Sequence, residues 1–365
     1  MYQTDIQKQV LHLNGKVYTY EHILDELAEF SFSTNSEFHN LFLFLKDWFN
    51  SSDEMTVQTS GSTGTPKLIR VKKRQMIESA LATCSFLGMK KGDRALLCLS
   101  TSFIAGKMMI VRALVAELEL TVVQPSGFPL SDIEGSFDLV SMVPMQVYNS
   151  YSRMQDRDKL MHIKTLLVGG GPVSRSLEMM IKDFPNRVFS TYGMTETLSH
   201  IALRRINGEE ASECYTPLPN VSISLNRASC LVIDAPLVSD EKLETNDVAV
   251  IFKDGNFVVI GRTDNIINTG GVKIQTERLE SLLSDYISTP YAISSLPDEV
   301  FGEIVVLVVE GTIDENLLLQ NLHADKVPSS EIPKKIYSVD ALPKTHSGKI
   351  NRKALKNLVE NYIEQ

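Results

Sequence analysis

The rhythm of hydrophobic and polar positions changes twice along the chain, dividing it into three regions. From Arg74 to about Ser190, stretches with helical spacing alternate with short apolar runs. "RQMIESALATCSFLG" precedes "ALLCLS", and "AGKMMIVRALVAE" precedes "LTVVQP". "FDLVSMVP", "IKTLLVGG" and "RVFSTYG" then follow one another, separated by the helical "MQVYNSYSRM" and "SRSLEMMIKDF". Short apolar strands between amphipathic helices predict a mainly parallel sheet covered on both faces. From about 206 to 260 the runs become β-like and close together: "VSISL", "CLVIDAP", "VAVIF" and "FVVIG", with a Asp254–Gly255 turn. This predicts a small, mostly antiparallel subdomain. After Arg262 helix and strand alternate again, in "TERLESLLSDYI", "GEIVVLVVEG", "DENLLLQNLHAD", "KKIYSV" and "NRKALKNLVENYI", the last with Asn351 as helix cap. The expectation is an α/β protein with a large domain over 1–262 and a small α+β domain over 263–365.

Bulk properties narrow the classes of function. The chain has 365 residues, 43% hydrophobic and 22% charged, as expected of a soluble protein with a large core. A net charge of -9 argues against nucleic-acid or anionic-membrane binding, both of which favour a basic face. "LFLFLKDWF" is the most apolar stretch; it is too short to span a bilayer and carries Lys46 and Asp47. The polar N-terminus has no apolar signal core. Four separated cysteines with no CxxC pair fit neither a zinc site nor a disulfide scaffold, so a cytoplasmic location with reduced thiols is expected.

Five stretches carry candidate chemistry. In "TSGSTGTPK", Gly61 and Gly64 free the backbone to approach a ligand closely. The hydroxyls of Thr59, Ser60, Ser62, Thr63 and Thr65 and the charge of Lys67 suit phosphate oxygens. The spacing is not that of a Walker loop. "STYGMTET" follows an apolar strand, where open parallel sheets bind ligands. Its Tyr192 could stack on a flat ring and its Glu196 could hold Mg2+. "LVGGGPVS" places three glycines after a strand. "GRTDNIINTGGVKI" sets Arg262, Asp264 and a Gly270–Gly271 turn where the texture changes. "LPKTHSGKINR" puts Lys349 in a turn before the last helix. Taken singly, each also reads as an ordinary turn, a surface charge or a packed aromatic.

Taken together and in order, they resemble the adenylate-forming superfamily of acyl- and aryl-CoA ligases, adenylation domains and luciferases. The resemblance covers roughly residues 55–356. It implies that Thr59–Lys67 holds the β- and γ-phosphates of ATP. Gly169, Gly170, Gly171 and Pro172 would line the adenine side, and Tyr192 and Gly193 would lie against the ring. Thr195 would stand at the α-phosphate and Glu196 at Mg2+. Asp247 and Arg262 would take the ribose hydroxyls, and Asp264 would be the hinge. Lys349 would enter the site for adenylation, and Gly270–Gly271 would face it for thioester formation with CoA.

"YGMTETLSHIALR" resembles the o-succinylbenzoate–CoA ligase branch of the superfamily. In "SFIAGKMMIVRAL", Lys107 and Arg112 suggest recognition of a second carboxylate; side chains snorkelling from a packed helix are the alternative. Ser199 belongs to the same expected acid pocket. Another small aryl- or acyl-CoA ligase, a stand-alone adenylation domain loading a carrier protein and a non-catalytic nucleotide binder are the alternatives. Departures from the pattern are Leu68 after Lys67, Asn246 in a position usually held by glycine, and Asn265 in place of a second hinge aspartate. Only 58 residues precede the phosphate loop, fewer than in most members, so a homodimer partner is one way to complete the acid pocket.

Overall fold

The structure is a computed structural model that describes residues 2–23, 37–58, 68–345 and 349–362. The large domain begins with strands β1 (Leu11–Leu13) and β2 (Lys16–Tyr18), helix α1 (Glu37–Phe49) and the strands β3 (Glu54–Gln58) and β4 (Leu68–Lys72). Helix α2 (Lys73–Leu87), β5 (Arg94–Leu97), α3 (Ile104–Ala116), β6 (Glu119–Val122) and β7 (Leu139–Met142) follow. Then come α4 (Pro144–Ser152), α5 (Met154–Met161), β8 (Thr165–Val168), α6 (Arg175–Ile181), β9 (Arg187–Gly193), β10 (His200–Arg205) and β11 (Thr216–Pro217).

The main sheet has the order β11-β10-β9-β8-β7-β5-β6-β1-β2 among the described residues. Its centre, from β9 to β1, is parallel, and the antiparallel strands β2, β10 and β11 lie outside that centre. The chain runs from β5 to β6 on one side and then crosses to β7 on the other. This makes a switch point at β5/β7, where the carboxyl ends of open parallel sheets leave a crevice for ligands. The strands read as continuous apolar runs because both faces are covered. Ala95 and Leu97 of β5 point into one core while Leu96 points into the other. Leu167 of β8 likewise faces away from Leu166 and Val168. Helix α3 is buried from Met108 to Ala116, so every residue of that stretch, Arg112 included, is shielded from water.

The second sheet is antiparallel, β12 (Ser222–Leu225), β13 (Cys230–Asp234), β14 (Leu243–Ile251) and β15 (Phe257–Arg262). The β-rich texture begins near 206, yet β11 pairs with β10 in the main sheet, so the separate sheet starts only at Ser222. The one-turn helix Thr263–Asn265 then leads into the small domain. Here β17 (Val272–Gln275), β16 (Ile266–Thr269), β19 (Gly302–Glu310) and β18 (Tyr291–Asp298) form a third sheet, with β20 (Lys335–Val339) parallel to β19. Helices α7 (Thr276–Leu283), α8 (Glu315–Ala324) and α9 (Arg352–Asn361) pack on it. Strand β19 shows why this sheet is also two-faced: Val305, Leu307 and Val309 enter one core, Ile304, Val306 and Val308 the other.

Candidate active site

Glycine-bearing loops follow β8 and β9 at their carboxyl ends. Gly170 has φ +78°, a left-handed backbone open to glycine at little cost. Gly193 is required for a different reason: a Cβ there would lie 2.6 Å from Cα of His200 and in collision with the Ser199 carbonyl. The chain folds back at this point, and the Thr197 hydroxyl ties the turn to the backbone of Met194 and Ser199. Within the turn Thr195 is buried, while Glu196 is exposed and has no ion-pair partner among the described residues. Mg2+ takes one or two protein carboxylates and completes its shell with phosphate and water, so this solvent-facing carboxylate fits the ion.

Tyr192, at the end of β9, stands edge-on to Phe257 at 5.3 Å between ring centres, with Tyr215 beside it at 5.8 Å. Its hydroxyl donates to Oδ2 of Asp247 over 2.6 Å. Burial, together with the Asp247 charge, pushes the phenol's pKa well above its ordinary value. Asp247 is itself buried and lies opposite Arg262 in the β14–β15 ladder. One arm of the Arg262 guanidinium donates to Asp247 over 2.9 Å. Its other two nitrogens fork onto Asp264 at 2.9 and 2.8 Å. The Asp264 hydrogen bonds hold the guanidinium above its usual range and the Asp264 carboxyl below its own. The backbone N–H of Arg262 donates to Glu277 of α7, which also receives the Asn265 side chain. Sequence reasoning missed Glu277, because a helix glutamate gives no local sign that it reaches back across the hinge.

Lys349 comes to this cluster from the small domain. Its carbonyl accepts from the Thr345 N–H and its own N–H donates to the Thr345 hydroxyl, ahead of α9. Nearby, Arg352 is held by two 2.7 Å bonds to Glu280. A methyl group added at Gly171 would lie 3.9 Å from Cγ of Lys349. Burial lowers the pKa of the Lys349 amine, the Arg262 charge lowers it further, and Asp247 opposes both. The small domain thus presents its lysine to the loop after β8, and Arg175 of α6 meets Asp285 of the small domain at 3.2 Å. The Gly270–Gly271 turn links β16 to β17, with φ +55° and +81°. The predicted phosphate loop Thr59–Lys67 lies outside the described residues; Gln58 and Leu68, which bound it, pair across β3 and β4.

Arg112 and Lys107 do not form a pair. Five residues of α-helix turn one side chain about 140° from the other. Lys107 stands 5.6 Å from the ring of Phe44 on α1, near Asp47 and Glu37. Arg112 is fully buried and reaches Ser199, with Thr83 at 3.5 Å and the sulfur of Met109 at 3.7 Å. Its Nε has no partner, and among the described residues no carboxylate stands within ion-pair distance of it. Burial pushes its pKa down to about 10. A buried cation surrounded only by neutral groups is costly, and an anion placed against it removes the cost.

A model of the AMP-binding enzyme family matches residues 23–229. The chain is similar to the 2-succinylbenzoate–CoA ligase of Lactococcus lactis, 26% identical over 322 residues, with 82% of this chain and 70% of that protein covered. Among solved structures it is similar to an acyl-CoA synthetase (AMP-forming)/AMP-acid ligase II-like protein from Dyadobacter fermentans. That match is 36% identical with a TM-score of 0.61 and covers 90% of this chain and 96% of the other. The fold is also that of the o-succinylbenzoate CoA synthetase from Bacillus subtilis bound to its acyl-adenylate intermediate. There the identity is 22% and the TM-score 0.70, over 82% of this chain and 68% of that one. The Bacillus enzyme has also been solved with ATP and magnesium ion.

Proposed function

The chain belongs to the family of AMP-binding enzymes, and on that premise we propose that it is an acid–CoA ligase acting on o-succinylbenzoate. The acid and ATP give o-succinylbenzoyl-AMP and pyrophosphate; the CoA thiol then displaces AMP to form the thioester. The observation that carries the choice of acid is Arg112. o-Succinylbenzoate has two carboxylates, one to be activated and one left over, and Arg112 is a buried cation with no carboxylate of the protein against it. The related Lactococcus ligase, named for this acid, supports the same choice.

The residues act as follows. A carboxylate is a poor acyl donor because its leaving group would be oxide, so its oxygen first attacks the α-phosphate. Negative charge gathers between the two groups, and Lys349 stabilises it with a positioned ammonium. Asp247 and Arg262 take the ribose hydroxyls. The Tyr192 ring lies along adenine, its hydroxyl anchored to Asp247. Gly169, Gly170, Gly171 and Pro172 line the adenine side. Thr195 donates to the α-phosphate, and Thr59–Lys67 wraps the outer phosphates. Glu196 would hold Mg2+, which when bound supplies countercharge to the phosphates. Rotation of the small domain about Asp264 withdraws Lys349 and brings Gly270–Gly271 to the site for the thiol step. The cytoplasm is the proposed location, in keeping with four free thiols. No helix among the described residues is long and apolar enough to cross a membrane.

Pyrophosphate release measured across a panel of acids, with and without CoA, tests the reading. The expected result is release with o-succinylbenzoate and Mg2+–ATP, and thioester only when CoA is added. ADP in place of AMP would exclude the adenylate route. Turnover confined to monocarboxylic acids would remove o-succinylbenzoate while leaving the chemistry in place. Transfer to a carrier-protein pantetheine but not to free CoA would reassign the acceptor.

A further inference from the structure

We propose that His200 is a positioning residue for acid recognition, holding the Thr83 and Ser199 hydroxyls so that both oxygens face the Arg112 guanidinium. The inference rests on the reading that Arg112 takes the acid's second carboxylate. His200 is buried at the start of β10. Its Nε2 is 3.0 Å from Oγ1 of Thr83 and its Nδ1 is 3.4 Å from Oγ of Ser199. The same two oxygens receive Nη2 of Arg112. One imidazole therefore backs both of the hydroxyl groups that hold the cation.

The donor count explains why the ring matters. A guanidinium has only donors, so each hydroxyl must turn a lone pair to it and send its own proton elsewhere. The Thr83 proton has two acceptors in reach, the His200 ring and the Ser79 carbonyl at 3.1 Å. A neutral imidazole has one donor and one acceptor nitrogen, so it can stop one hydroxyl rotor from each side. Burial, and then the Arg112 charge, push the His200 pKa well below its ordinary value, which keeps the ring in that neutral form. Cys84, raised to about 12 by burial, stays a thiol and adds no charge. Without the ring, Thr83 would keep only the Ser79 carbonyl and the Ser199 hydroxyl would lose the partner that stops its rotor, so the guanidinium would lose its fixed direction. His200 makes no contact with the Asp247–Arg262–Lys349 cluster among the described hydrogen bonds, so nucleotide binding gives an internal control.

The test compares His200→Leu with His200→Gln, whose amide restores one donor and one acceptor. KM is measured for o-succinylbenzoate, for benzoylpropionate, which lacks the ring carboxylate, and for ATP. His200→Leu should raise KM for o-succinylbenzoate about 10-fold, the equivalent of one hydrogen bond to a charged group. KM for ATP and for benzoylpropionate should stay near wild type, and His200→Gln should recover most of the loss. A parallel rise for both acids, a rise for ATP as well, or no change overturns the proposal and leaves His200 a packing residue. If the Leu variant does not fold, His200→Asn measured in the same way decides. The wild-type enzyme judges the underlying reading separately: equal use of the two acids would overturn the role of Arg112 and this proposal with it.

Discussion

The two charged clusters, around Arg262 and around Arg112, are built on opposite terms. The Arg262 guanidinium has two opposite charges against it, Asp247 at 2.9 Å and Asp264 at 2.8 Å, and Glu277 accepts from its backbone N–H. Lys349 reaches the same cluster from the other side of the hinge. Arg262 and Asp264 of this cluster are partly exposed. Around Arg112 the opposite holds: it lies inside a helix buried on all sides, and its neighbours are two hydroxyls, a thioether and a neutral imidazole. A paired charge is compensated within the fold, whereas an unpaired buried one carries an uncompensated desolvation cost.

The contrast can be broken most sharply at Lys349. Lys349→Ala should slow acyl-AMP formation on the order of 10²–10³-fold, as loss of other oxyanion donors does. Conversion of supplied acyl-AMP and CoA to thioester should survive if, as proposed, the lysine is withdrawn for that step. Equal loss in both half-reactions, measured separately, would mean that the lysine is a general electrostatic or structural residue.

Next in size is Arg112→Met. KM for o-succinylbenzoate should rise roughly 10- to 150-fold with KM for ATP unchanged. Denaturant melts should place this variant about 1 kcal/mol above wild type, because an uncompensated buried charge has gone. Arg262→Met should lose about 1 kcal/mol, discounted for screening of a side chain that is 37% exposed, because Asp247 and Asp264 are left unpaired. Shifts of the same sign in both variants would erase the distinction between the clusters.

A pH profile gives a smaller, graded effect. Burial holds the Lys349 pKa below its usual 10.5, so the ammonium is lost as pH rises through the lowered value. The adenylation half-reaction should therefore fall on the alkaline side before the thioester half-reaction does. The docked lysine binds fewer protons than the free one between the lowered value and 10.5, so docking without substrate should strengthen as pH rises through that window. Identical alkaline limbs for the two half-reactions would count against the docked lysine as the titrating group. The smallest expected change belongs to Lys107→Ala. Its ammonium sits over Phe44, so about 0.5–1 kcal/mol of stability should go while both KM values hold within about 3-fold. A large selective rise in the acid's KM would place Lys107 in the acid pocket.

The sequence by itself determined the elements and the places where chemistry could sit. Apolar runs such as "ALLCLS" and "IKTLLVGG" carry no alternation because both sheet faces are covered, and that alone indicates parallel strands. The glycine turns after β8 and β9, the change of texture at Arg262 and the lysine turn before α9 were also legible, because each is a local pattern. Even the divergence of Lys107 and Arg112 was available, since five residues of helix fix the angle between them. Only the tertiary structure decided which residues meet. Thr83 and His200 are 117 positions apart, and Tyr192 and Asp247 are 55 apart. Their contacts depend on strand order and on how α2 and α3 lie across the sheet, and periodicity within a segment carries no information about either. The same holds for charge. A residue's letter says that Arg112 is a cation, but whether a counterion stands beside it depends on every segment packed around it, and that environment leaves Arg262 paired and Arg112 without a carboxylate partner among the described residues.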